Sequence, residues 1–204
     1  MPKLKICGLF REIDIDFANE AMPDFVGFVF AEKSKRFVTA TQAENFRKKL
    51  ANKIIPVGVF VNAKIEDILA LHSNGVIDMV QLHGGESDEY IAELKQKCSA
   101  QIIRAHSPLS TLHSPLSDYT LLDSTTPGSG ETFDWKSLQN IDLSQNFFLA
   151  GGINLQNITE AIKLNPFAID VSSGAETDGV KDREKILKLA GEARNFLYLQ
   201  PLGR

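Results

Sequence analysis

The chain has too few cysteines for a disulfide framework or a metal cluster: Cys7 and Cys98 are its only two, far apart in sequence. Its four histidines, at 72, 83, 106 and 113, show no metal-ligand spacing. No apolar run approaches the roughly 18 residues needed to cross a bilayer. The opening MPKLKICGLF lacks the apolar core and cleavage site of a signal peptide. Basic charge is also scarce, with 22 Lys and Arg against 26 Asp and Glu, so nucleic acid and membrane surfaces are not expected partners. A cytoplasmic protein with free thiols is the simplest reading of these absences.

What is present is alternation. Apolar, β-branched runs at 4–7, 25–30, 55–61, 79–82, 101–105, 119–123, 147–150 and 167–171 read as strands. Helical patterns at 41–50, 65–73, 88–97, 155–164 and 183–196 fall between or after them, with weaker ones at 107–116 and 135–143. Thr41 with Glu44 suggests a capping box, and Asn154 an N-cap. Eight such units predict a single (β/α)8 barrel domain over 1–204, compact beside the roughly 250 residues typical of that fold. A doubly wound open sheet uses the same alternation. The count of eight favours the barrel, as does the lack of a G-x-G-x-x-G fingerprint after the first strand.

In a barrel, chemistry sits where strands end. Cys7 closes the first strand and shares a face with Lys3 and Lys5, since side chains alternate with period two. A lone cysteine is usually an inert hydrophobe, but this one faces the expected mouth. Cationic surroundings there are expected to lower its thiol. Lys5 would point inward and need a carboxylate, for which Asp170 is the candidate. Asp123 ends the sixth strand and suits proton transfer, with capping of the following turn as the alternative reading. Arg36 offers a fork for a carboxylate, although a solvated Lys-Arg pair is the commoner meaning of such a run. His83 reads as lining the site. Gly151, Gly152 and Asn154 after the seventh strand, with Ser172, Ser173 and Gly174 after the eighth, occupy the recurrent phosphate position. The polar stretch 124–132 reads as an active-site loop.

Together these segments resemble phosphoribosylanthranilate isomerase of tryptophan biosynthesis. The likeness runs through KICGL at 5–9, GFVF at 27–30, SKRFV at 34–38, VGVFVN at 57–62, VQLHG at 80–84, LLD at 121–123, GSG with FDW at 128–135, AGGIN at 150–154 and DVSSGAE at 170–176. Phe10, Ala150 and Gly85 depart from the family's usual residues. The resemblance implies Cys7 as general base, Asp123 as general acid, Arg36 on the anthranilate carboxylate and the glycine and serine loops on the phosphate. It implies an Amadori rearrangement of N-(5-phosphoribosyl)anthranilate to 1-(2-carboxyphenylamino)-1-deoxyribulose 5-phosphate, with no metal or redox cofactor. The chain is expected to act on this small molecule as a monomer or homodimer. Another phosphosugar barrel isomerase or lyase, or a catalytically silent barrel serving as a binding module, would share the scaffold.

Overall fold

Runs that are apolar on both faces form strands when both faces can be covered, as in parallel sheets. The computed structural model describes residues 2–106, 116–123 and 147–195. It contains β1 Lys3–Cys7, β2 Phe25–Val29, β3 Ile55–Phe60, β4 Met79–Leu82, β5 Gln101–His106, β6 Tyr119–Leu122, β7 Phe147–Leu149 and β8 Ala168–Val171. Each pairs in parallel with the next, and β8 pairs with β1, so the sheet closes into a barrel. The open-sheet alternative is excluded. Around it lie α1 Glu12–Ala21, α2 Ala40–Lys49, α3 Ile65–Ser73, α4 Asp88–Lys97, α5 Ile158–Lys163 and α6 Arg183–Asn195. None of the described helices is long and apolar enough to cross a membrane.

The period of two divides each strand between two cores. Phe25, Val57, Met79, Ile103, Leu121 and Phe148 fill the barrel's interior. Leu4, Ile6, Val26, Phe28, Val80 and Ile169 face outward, in one buried cluster with Ile15, Ile68, Ile91 and Leu94 of the helices. Near the strand starts, the Lys3 ammonium lies 5.4 and 4.9 Å from the Phe25 and Phe167 ring centres. The upper interior is polar, and it is there that the site lies.

Strand bounds agree with the sequence reading to within one residue, and α3 and α4 match it. Two caps do not. Thr39, not Thr41, caps α2: its hydroxyl accepts from Gln42 N at 3.2 Å, and the Gln42 side chain returns the bond. Asn157, not Asn154, precedes α5, which is shorter than expected because Asn154 is engaged in a turn, accepting from Gln156 N. The expected loop 124–132, the helical segment 135–143 and the segment 107–116, apart from Leu116, lie outside the described residues.

A hairpin after β8 was not foreseen. It joins β9 Glu176–Thr177 to β10 Val180–Lys181 through Asp178 and Gly179, both at positive φ. Asp-Gly between short strands is a strong hairpin signal. This turn carries two charged side chains to the mouth.

Candidate active site

Cys7 ends β1 with its side chain inward, opposite Gly27 of β2. A methyl group at Gly27 would lie 2.6 Å from the Cys7 sulfur, so glycine is what leaves space for the thiol. One pleat deeper, Lys5 is fully buried and meets the carboxylate expected for it: Nζ lies 2.7 Å from Asp170 Oδ2. Burial opposes the lysine's charge, but Asp170 and Cys7 together hold it protonated above its ordinary range. For Cys7 the expected lowering is not the outcome. Burial pushes the thiol up, and the opposing pull of Lys5 and Lys181 only partly offsets it.

Across the cavity, Asp123 follows β6 and approaches His83, with Oδ2 3.4 Å from Nε2. His83 Nδ1 in turn lies 2.8 Å from the amide nitrogen of Gln81, which is buried one pleat below it on β4. With that amide donating, Nδ1 accepts and the ring proton sits on Nε2, facing the carboxylate. Gln81 was not singled out in the sequence, although its alternation with His83 on a strand end was a usable signal.

Arg36 reaches the mouth from the loop after β2, but its fork is partly occupied. Its Nε and Nη2 donate to Glu176 Oε1 and Oε2 at 2.5 and 2.9 Å. Nη1 takes no part in that pair, and Arg36 is among the residues that line the cavity. Lys181 Nζ donates to the same Glu176 at 2.7 Å and to the Ser172 carbonyl at 2.9 Å. Burial opposes ionisation of Glu176, yet Arg36 and Lys181 hold its carboxyl below the usual range. Burial pushes the Lys181 ammonium down. The β9–β10 hairpin thus ties Arg36 to the β8 loop through a buried bidentate pair. Neither Glu176 nor Lys181 was read as a site residue, though Asp178-Gly179 marked the turn that brings them in.

Cys7, Arg36, His83 and Asp123 line one cavity of about 190 Å³ with Gly151, Gly152, Ser172 and Ser173. Asn154 and Gly174, also expected to bind substrate, do not line it. The Asn154 amide is already engaged, donating to Asn157 Oδ1 at 2.8 Å. Gly174 marks where the loops after β7 and β8 touch: an added Cβ would lie 1.9 Å from the Ile153 carbonyl oxygen. It therefore sets the spacing of the loops. Among the described residues no group of three or more His, Cys, Asp or Glu could hold a metal ion.

A closed parallel barrel with titratable side chains gathered where its strands end defines a (β/α)8-barrel enzyme. The family described as N-(5'phosphoribosyl)anthranilate (PRA) isomerase matches residues 4–191. The chain belongs to that family, and with it to the isomerases. It is 46% identical over 195 residues to N-(5'-phosphoribosyl)anthranilate isomerase of Endomicrobium trichonymphae, covering 92% of this chain and 96% of that one. Among solved structures, phosphoribosyl anthranilate isomerase from Thermus thermophilus superposes with a TM-score of 0.84 at 30% identity, over 94% of this chain and 98% of the other. An isomerase in complex with reduced 1-(o-carboxyphenylamino)-1-deoxyribulose 5-phosphate does so with a TM-score of 0.80 at 32% identity, over 96% of this chain and all of the other.

Proposed function

We propose that the barrel mouth isomerises N-(5-phosphoribosyl)anthranilate to 1-(2-carboxyphenylamino)-1-deoxyribulose 5-phosphate, an acid–base step of tryptophan biosynthesis. The observation that carries this reading is a thiol and a carboxyl, Cys7 and Asp123, on the wall of one cavity that Arg36 also lines. Asp123 protonates the furanose ring oxygen, the C1–O bond breaks, and the amine nitrogen shares its lone pair to give a Schiff base. Cys7 then takes the proton from C2, leaving an enolamine. The enolamine gains a proton at C1 and loses one from the C2 hydroxyl to become the ketone. Apart from the C1–O cleavage, each step is a proton transfer between substrate and side chains or water.

Arg36 holds the anthranilate carboxylate through the edge that Glu176 leaves open. The loops at Gly151–Gly152 and Ser172–Ser173 receive the phosphate, through backbone amides that a glycine-rich turn leaves approachable. The free thiols Cys7 and Cys98 support a reducing, cytoplasmic setting, where the chain acts as a monomer or homodimer. Incubating the purified chain with N-(5-phosphoribosyl)anthranilate and separating the ketone product by chromatography tests the assignment. Product at no more than the buffer rate would remove it.

Arg36→Met is expected to raise KM by roughly ten- to a hundredfold, the worth of a charge-assisted hydrogen bond of about 1.5–3 kcal/mol. Glu176→Gln keeps the size of the Arg36 partner but not its charge, and should raise KM in the same direction by less. Steady-state kinetics on both variants check this. An unchanged KM in Arg36→Met would take the carboxylate contact away from that residue.

A further inference from the structure

A buried lysine–aspartate pair inside a barrel is not explained by stability, because two apolar side chains of similar volume usually serve as well or better. The pair at Lys5 and Asp170 lies directly beneath Cys7, and three observations bear on what it does. Lys5 and Cys7 fall on the same face of β1 by the strand's alternation, and the ammonium, held by Asp170 at 2.7 Å, is close enough to the thiol that each favours the other's charged form. Asp170 engages Lys5 through Oδ2 alone, while its buried Oδ1 has no hydrogen-bond partner among the described residues. Lys181, the other ammonium near the thiol, is already committed to Glu176 and the Ser172 carbonyl.

We propose that Lys5 is the counter-ion of the Cys7 thiolate: its ammonium, anchored by Asp170, stabilises the sulfur anion where water has little access. Lys5 is thus a positioning residue that acts through Cys7. The inference rests on the reading of Cys7 as the base. A buried thiol without a cation stays neutral and cannot accept a proton from carbon. The charged groups facing Cys7 are Lys5 from its own strand, Asp170 from β8 and Lys181 from β10. Arg36 from the loop after β2 and the His83–Asp123 pair complete the wall around the mouth.

The test is the pH profile of Cys7 alkylation by iodoacetamide, read by peptide mass spectrometry so that Cys98 is scored separately. Lys5→Met alone would leave Asp170 free to take up a proton, so the informative comparison holds residue 170 neutral. Asp170→Asn should move the Cys7 profile to lower pH, because the competing anion is gone and the ammonium turns wholly to the sulfur. Lys5→Gln/Asp170→Asn should lie above Asp170→Asn by at least about one pH unit, or roughly tenfold in rate at a fixed pH on the rising limb. A purely structural role for the pair would not separate the two profiles. Should the amide pair fail to fold, Lys5→Met/Asp170→Leu replaces both partners by apolar groups and predicts the same upward displacement. Coincident profiles for Asp170→Asn and the folded double variant would overturn the counter-ion. Because alkylation does not need turnover, the outcome is separable from the base assignment: a Cys7→Ser enzyme that still turned over would sink the latter alone.

Discussion

Cys7→Ser is expected to fold as the parent does and to turn substrate over about 10²–10⁴-fold more slowly, the usual worth of a placed general base. Serine fills nearly the same volume beside Gly27, so the barrel loses little packing. What it loses is an ionisable group, since a hydroxyl stays protonated where a thiol can become an anion. The same argument fixes the pH dependence. A base works in its deprotonated form, and burial holds the Cys7 thiol above its ordinary range. In the parent, kcat/KM should therefore rise with pH through neutrality as the thiolate population grows. In Cys7→Ser that rise should disappear. Circular dichroism to verify folding, followed by kcat/KM from pH 6 to 9, decides it, and a variant with near-parental turnover would exclude Cys7 as the base.

Asp123→Asn should be comparably damaging, again by about 10²–10⁴-fold in kcat, for the complementary reason. The amide keeps the shape of the carboxyl and can still accept from His83 Nε2, which sits 3.4 Å from Asp123 Oδ2. It has no acidic proton for the ring oxygen, so opening of the furanose slows. Binding should change much less, which separates this variant from Arg36→Met: the first loses kcat, the second KM. Single-turnover measurements with enzyme in excess make the distinction directly. If ring opening proceeded at the parental rate in Asp123→Asn, the acid would have to be sought elsewhere.

The parts of this barrel that were legible in the sequence are those governed by local periodicity. Alternation along Lys3–Cys7 put Leu4 and Ile6 outward and Lys5 and Cys7 inward, and the physical demand of a buried ammonium pointed to Asp170. Boundaries were harder where two readings have equal local merit. Thr39 with Gln42 and Thr41 with Glu44 are overlapping capping boxes, and the choice falls to Thr39 because Val38 is still tied to β2 through its bond to the Val29 carbonyl. The Arg36–Glu176 pair spans 140 positions. Nothing near Arg36 announces that partner, and the Asp178-Gly179 signal for the hairpin that delivers it went unread. The direction of the Cys7 ionisation was missed for a related reason: neighbouring charges can be counted along a strand, but the loss of water around a sulfur is a property of the closed barrel.

Lys5 and Asp170 are register partners in the β1–β8 ladder, the last seam of the ring, joining residues 165 positions apart. A slip of β8 by one residue would turn Asp170 toward the helices and leave the Lys5 ammonium without a carboxylate. An uncompensated buried charge costs several kcal/mol, a large share of the stability of most domains. Mis-seamed rings are therefore penalised at the one joint that local sequence cannot supervise. The charge pair under the thiol doubles as a proofreader of closure, accepting a single alignment of the barrel's first and last strands.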